Sequence, residues 1–411
     1  MNTSTIDLQS YRDHLGRFLA EILPPGWLGM GALEPEEREQ FLIDWRRILV
    51  ENRMMGLTWP REYGGGGLGI AEQSIMLEEF VRAGVPALPH KNDSFGFNLL
   101  GPTLLHWGTE TQKQFFLSQT ISGEMRWAQG YSEPDAGSDL FNLRTKGTVD
   151  GDTLVLNGQK TWQTAGLTAN WLLCLVRTDP TAERSHGLSF VLVPVDAPGV
   201  EIRGIRNMVG ITEFAEVFFN DAVVPIDNVV GGVGNGAKVA LTLLGYERGV
   251  SGVASALSFE IMLERLTELI RHHGRGTDRD MRLRLASIRV DVHALRCVAE
   301  KVLGSAVRGE ELGAESSVVK TLTAEYDQVI TDLAMDVLGM EALAPSGPGA
   351  IESLKPQPRG LDPTSSASWV EDYLNSRART IYGGSSEMQR NTIGEQILGL
   401  PREPRPARAV G

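Results

Sequence analysis

Thr148-Val-Asp-Gly-Asp-Thr-Leu-Val-Leu156 is the stretch on which the fold turns. Two runs rich in β-branched and apolar residues, Thr148-Val149 and Thr153 to Leu156, flank Asp150-Gly151-Asp152. An Asp-Gly pair between such runs reads as a tight β-hairpin. Asn157-Gly158 follows at once and reads as a second turn. Apolar, strand-like stretches continue at residues 171–176, 188–195 and 215–219. Residues 125–235 are therefore expected to form a compact β domain.

On either side the spacing changes from two to between three and four. Phe41, Trp45 and Leu49 recur at helical intervals, as do Met76/Phe80 and Leu77/Val81, so residues 11–121 read as helices. A loop at 60–69, with four consecutive glycines from Gly64, interrupts them. From Gly236 helical spacing returns and runs to about residue 400, broken at 273–280 and at the Pro-, Gly- and Ser-rich 344–363. The expected organisation is a multidomain α+β chain: an N-terminal helical domain (1–124), a middle β-barrel or sandwich domain (125–235), a C-terminal helical bundle (236–400) and a flexible tail (401–411). A dinucleotide-binding fold would alternate strand and helix throughout. Gly232-Val-Gly-Asn-Gly236 lacks the spacing of a phosphate loop and reads as a linker into a helix.

A chain of 411 residues, 42% of them hydrophobic, is too long for one ordinary domain. Its net charge of −13 disfavours nucleic acid, whose phosphates demand clustered Lys and Arg. Cys174 and Cys297 are far apart, which argues against a disulfide framework and for a reducing cytoplasm. Residues 1–23 mix charged with apolar side chains and read as an amphipathic helix, not a signal peptide. No apolar run is long enough for membrane insertion. His272-His273 stands without a Cys/His cluster, so no metal site is expected.

Three segments carry candidate chemistry. Gln129-Gly-Tyr-Ser-Glu-Pro-Asp-Ala-Gly-Ser-Asp139 is a loop whose N–H and hydroxyl groups suit a cofactor, or equally a plain turn. In Leu156-Asn-Gly-Gln-Lys-Thr-Trp-Gln-Thr-Ala-Gly166, Trp162 and Thr164 alternate on a strand and share a face. That suits a flat heteroaromatic ring, though ordinary packing explains it as well. In Arg379-Thr-Ile-Tyr-Gly-Gly-Ser-Ser-Glu-Met-Gln-Arg390, Gly383-Gly384 leads into a helix whose first N–H groups are free for an anion or oxyanion.

In this order across a three-part chain, the segments resemble the acyl-CoA dehydrogenase family, over nearly the whole length. The resemblance implies FAD bound between the β domain and a C-terminal four-helix bundle. It implies cofactor contacts from Gln129, Tyr131 and Ser132 along the isoalloxazine, with Gly137 and Ser138 beyond them. Trp162 is expected over one ring face, Thr164 near flavin N5, and Ser385 and Glu387 at the adenosine end. Ser138, Tyr246 and Arg248 are the expected substrate contacts.

Many family members carry their base in a Tyr-Glu-Gly-Thr pattern, which reads Tyr382-Gly383-Gly384-Ser385 here. A glycine cannot abstract a proton. A second subset, typified by isovaleryl-CoA and long-chain enzymes, places a Glu before an Arg on a C-terminal-domain helix. Leu244-Gly-Tyr-Glu247-Arg248 fits it. Glu247 is thus the expected base for the α-proton, with the Gly383 backbone N–H against the thioester oxygen; a solvent-facing helix Glu is the bland alternative.

Two family segments that hold the FAD pyrophosphate are degraded. Arg271-His-His-Gly-Arg-Gly-Thr277 lacks Phe-Gly, and Asp336-Val-Leu-Gly-Met340 has Asp where Gln is expected. Arg271 or Arg275 could still serve. The degradation points to a heterotetramer with a related subunit, as in some actinobacterial steroid-degrading members; a homotetramer is the alternative. The expected substrate is an acyl-CoA, branched or bulky, and the expected acceptor an electron-transferring flavoprotein. Competing readings are an acyl-CoA oxidase, a carrier-protein-thioester dehydrogenase and a non-catalytic subunit. The pocket floor is expected near residues 93–99.

Overall fold

The structure is a computed structural model and describes residues 7–247, 252–310 and 313–402. It divides into two compact units: residues 1–247 with 358–361, and residues 248–357 with 362–411.

The first unit opens with helices α1 (Leu8–Ile22), α2 (Pro35–Glu51), α3 (Ile70–Ala83), α4 (Gly101–Trp107) and α5 (Glu110–Ser122). Their starts are written locally. Pro35 occupies the first turn of α2, where its missing N–H costs nothing. Thr109 and Gln112 cap α5 reciprocally, each side chain accepting from the other's N–H at 3.2 and 3.0 Å. Gln112 Nε2 also donates to the carbonyls of Asp227 and Val229, tying α5 to the end of the β region. Trp45, fully buried, stacks on Phe41 and meets Phe80 at 5.4 Å. Residues Phe95–Leu100 form one π-helical turn running directly into α4.

Eight strands follow: β1 (Trp127–Gly130), β2 (Lys146–Asp150), β3 (Thr153–Thr164), β4 (Trp171–Arg177), β5 (Leu188–Pro194), β6 (Val200–Ile205), β7 (Phe214–Pro225) and β8 (Val229–Val230). They join in the order β6-β7-β3-β2-β4-β5-β8, with β1 parallel to β4. The expected hairpin is present, Asp150 pairing with Thr153. The turn expected at Asn157-Gly158 is not. β3 runs through it, and a register shift against β7 falls between Leu156 and Gly158. Long antiparallel pairing with β7 outweighs the local turn preference and turns Asn-Gly into a bulge.

The glycine-rich stretch leads, as a linker, into α6 (Gly236–Glu247). A Cβ on Gly236 would lie 2.4 Å from the Ser189 backbone, so only glycine lets α6 start this close to β5. Val239, Ala240 and Leu243 are buried in the same core as Phe190 and Leu192.

The second unit contains α7 (Gly252–His272), α8 (Arg279–Val307), α9 (Glu315–Leu338), α10 (Ser366–Arg379) and α11 (Ser386–Gln396). Phe259, Leu266, Leu295, Leu333 and Trp369 form its buried core. Asp278 caps α8, and Ser365 caps α10. Its interior also holds charge. Arg265 lies 4.5 Å over the Trp369 ring and 3.5 Å from Asp372, while Arg379 and Asp327 approach to 2.7 Å.

Candidate functional site

Three segments of the first unit meet at the end of β1. β1 delivers Gln129, and the chain leaves the strand through Tyr131, Ser132 and Glu133. Gln129 Nε2 is buried with no hydrogen-bond partner. A stranded buried donor costs stability unless a ligand accepts from it, so this atom suits a group rich in acceptors. The Tyr131 ring is turned into the core, 5% exposed and edge-on to Phe190. The Tyr131 carbonyl accepts from Lys160 Nζ at 3.2 Å.

β3 supplies the second segment. Its second register shift lies between Lys160 and Gln163. Lys160, Thr161 and Gln163 face inward, while Trp162 is 59% exposed and Thr164 half-buried. Trp162 sits at φ +65°, a left-handed conformation that is unfavourable for a bulky residue. The regular alternation from which a shared Trp162 and Thr164 face was expected is broken here, and the Trp162 ring lies edge-on to Phe214. An exposed aromatic held at a strained backbone position suits a flat ring better than a core does.

The third segment is the loop with Gly137 and Ser138, both exposed. Glu133 and Lys160 hold it from beneath. Lys160 Nζ donates to Glu133 Oε1 at 2.8 Å, Leu175 O at 2.7 Å and Tyr131 O at 3.2 Å. Glu133 also accepts from the N–H groups of Arg144 and Thr145. Burial pushes the Lys160 ammonium below its ordinary pKa, and Glu133 opposes this. Burial alone would raise Glu133, but Lys160 and the two N–H donors hold it low. Neither residue was singled out in the sequence, because they meet only when β1 and β3 are folded.

Asn92 is a second missed residue: its Nδ2 donates to Trp127 O at 2.8 Å and Ala165 O at 3.1 Å, bridging the ends of β1 and β3. Asp93, at the expected pocket floor, is buried against Arg46 at 2.7 Å. The π-helical turn that follows places Phe97 and Leu99 in the core.

Tyr246 is 39% exposed near the end of α6. Glu247 is the last residue of α6; its side chain, and the whole of Arg248, lie outside the described residues.

In the second unit Gly383-Gly384 leads into α11 as expected, but the first N–H groups of that helix are not free: Ser386 N–H donates to Thr380 O at 2.9 Å and Met388 N–H to Ser385 Oγ at 3.3 Å. Gly383 and Gly384 have φ of +65° and +85°. Gln389 Nε2 donates to the Gly383 carbonyl at 3.0 Å, and Ser385 caps the helix through the Met388 N–H. Ser386 Oγ and Gln389 Oε1 are buried without partners. Glu387 is exposed, and its own backbone N–H and Ser385 hold its carboxyl low. Arg275 donates to Asp278 and to the Asp336 carbonyl, while Arg284 pairs with the Asp336 carboxylate at 2.7 Å. Arg271 is exposed. Among the described residues no cluster of His, Cys, Asp or Glu could hold a metal, and no helix is long and apolar enough to cross a membrane.

Models of the acyl-CoA dehydrogenase N-terminal, middle and C-terminal domains match residues 5–124, 128–222 and 234–398. Acyl-CoA dehydrogenase IpdE1 of Mycobacterium tuberculosis is 38% identical over 403 residues, covering 97% of this chain and 99% of that protein. The chain belongs to the acyl-CoA dehydrogenase family. Members are FAD-dependent oxidoreductases, and the stranded Gln129 donor and displayed Trp162 suit that cofactor. Among solved structures, the Tcur3481-Tcur3483 steroid acyl-CoA dehydrogenase is 28% identical with a TM-score of 0.78, covering 96% of this chain and 98% of that one. The ChsE4-ChsE5 complex from Mycobacterium tuberculosis is 28% identical with a TM-score of 0.75, covering 98% of this chain and all of its counterpart.

Proposed function

We propose that this acyl-CoA dehydrogenase uses Glu247 to remove the α-proton of a branched or bulky acyl-CoA. The observation that carries the reading is the pair of positions. Residue 383 is a glycine at φ +65°, in a turn where the family's more familiar base would stand, and a carboxylate closes α6 at Glu247. A base must reach Cα while a donor stabilises the charge growing on the thioester oxygen. Glu247 takes the first role and the Gly383 N–H the second, with Tyr246 and Arg248 along the acyl chain and Ser138 at the CoA arm. Bound FAD supplies the acceptor for the β-hydride. Gln129, Tyr131, Ser132, Gly137, Ser138, Trp162 and Thr164 would hold it, with Ser385 and Glu387 proposed as contacts for the adenosine end.

A glycine in place of a side chain at 383 leaves volume beside Cα. That supports a bulky acyl group, as does similarity to proteins described as steroid dehydrogenases. We further infer a related chain as partner, by likeness to the ChsE4-ChsE5 complex, an electron-transferring flavoprotein as acceptor, and a cytoplasmic location. The test is Glu247→Gln. It should retain FAD and abolish flavin bleaching across a panel of acyl-CoA thioesters from short-chain to steroidal. Bleaching at the wild-type rate would exclude Glu247 as the base.

A further inference from the structure

The Lys160–Glu133 pair is the least expected feature of the first unit. Lys160 is fully buried and Glu133 nearly so. All three ammonium donors are used, and both carboxylate oxygens accept. Such a pair is a poor source of stability, since apolar side chains of similar volume often do as well. What a fully satisfied pair does is favour one arrangement of the backbone around it.

That backbone comprises the three segments described above. Through Tyr131 O, Lys160 fixes the chain just after β1, where the Ser132 carbonyl accepts from Thr161 N–H at 2.9 Å. Through Glu133 it anchors Arg144 and Thr145, where the loop bearing Gly137 and Ser138 returns. On its own strand it faces inward beside Thr161, which also faces inward. Two successive inward residues break strand alternation, and the displaced residue is Trp162 at φ +65°.

We propose that Lys160 is a positioning residue for the flavin: its buried ammonium, paired with Glu133, sets the strand end at Tyr131-Ser132 and the outward placement of Trp162. The proposal rests on the FAD reading above and assigns Lys160 no part in bond making or breaking.

The test compares the holoenzyme with Glu133→Gln and with the doubly neutral Lys160→Met/Glu133→Gln. FAD dissociation, the visible circular dichroism of bound flavin, kcat, KM and the thermal midpoint are measured. The double variant should bind FAD about tenfold more weakly and change the shape of the flavin dichroism, with kcat falling more than KM rises. A purely structural pair would move the midpoint and leave the dichroism of folded, flavin-loaded protein unchanged. Glu133→Gln keeps an acceptor for Lys160, so it should fold and shift both flavin readouts less, in the same direction. Wild-type affinity and dichroism in the double variant, or in Glu133→Gln if the double variant does not fold, overturns the proposal. A wild-type chain that takes up no flavin in any assembly removes the FAD reading and this proposal with it.

Discussion

Arg184 Nη2 lies 2.6 Å from Asp139 Oδ1, while the Arg184 carbonyl accepts from Arg177 Nη2 at 2.9 Å. The same guanidinium donates to the carbonyls of Phe141, Leu143, Ala182 and His186. Arg177 thus fastens two loops together: the one carrying Ser138 and Asp139, and the one between β4 and β5. Arg177→Met leaves those carbonyls to water and frees the loop proposed to meet the CoA arm. KM for an acyl-CoA should rise about tenfold, with kcat within about twofold. Arg177→Lys, with three donors in place of five, should fall between. Steady-state kinetics check both.

Asp372 provides a test by pH. It is fully buried, and burial raises its carboxyl to about 7; Arg265 opposes the rise and Asp327 adds to it. Because the folded-state pKa lies above the unfolded value, the folded chain binds this proton more tightly. Asp372's contribution to stability is then complete below the unfolded pKa and lost as pH rises through about 7. The second unit should lose resistance to urea as pH climbs through neutrality. Asp372→Asn, neutral at every pH as Asp372 is below about 7, should flatten that trend and leave the midpoint at low pH close to wild type. Urea unfolding across the pH range measures both effects.

What the sequence disclosed was local. Asp150-Gly151-Asp152 announced its hairpin because no other chemistry competes at a two-strand turn. The helices on either side followed from apolar spacing, and the start of α6 from its glycines. What stayed hidden depends on partners distant in sequence. Asn157-Gly158 carries a turn signal that nine residue pairs with β7 suppress. Lys160 and Glu133 are ordinary surface residue types until β1 and β3 bury them together. The left-handed backbone at Trp162 follows from that burial, not from tryptophan's own preference. The inward ring of Tyr131 is set by Phe190 on β5.

Packing around the π-helical turn yields a stability prediction. A Cβ on Gly101 would lie 1.9 Å from Trp59 Cζ2. Trp59 is 2% exposed and stacked on Phe97 at 5.1 Å, so the indole has nowhere to go. Gly101→Ala should destabilise the first unit by about 1–3 kcal/mol, the usual cost of forcing atoms into a filled core. Chemical denaturation followed by tryptophan fluorescence reads this directly.

The FAD pyrophosphate carries negative charge. An anion needs a cation or free N–H groups that are not already committed. Arg275 is committed to Asp278 and the Asp336 carbonyl, and Arg284 to the Asp336 carboxylate. Of the arginines in that region, Arg271 is exposed, but it lacks the Phe-Gly sequence that follows the family's pyrophosphate arginine. We therefore expect the chain purified alone to hold well under one FAD per chain. Co-expression with a related acyl-CoA dehydrogenase subunit should raise both flavin content and turnover. Arg284→Ala, which unmasks the Asp336 carboxylate, should lower flavin retention further if this surface faces the pyrophosphate. Absorbance at the flavin band against protein concentration decides the matter: a lone chain fully loaded with FAD and active on acyl-CoA would show that no second kind of subunit is needed.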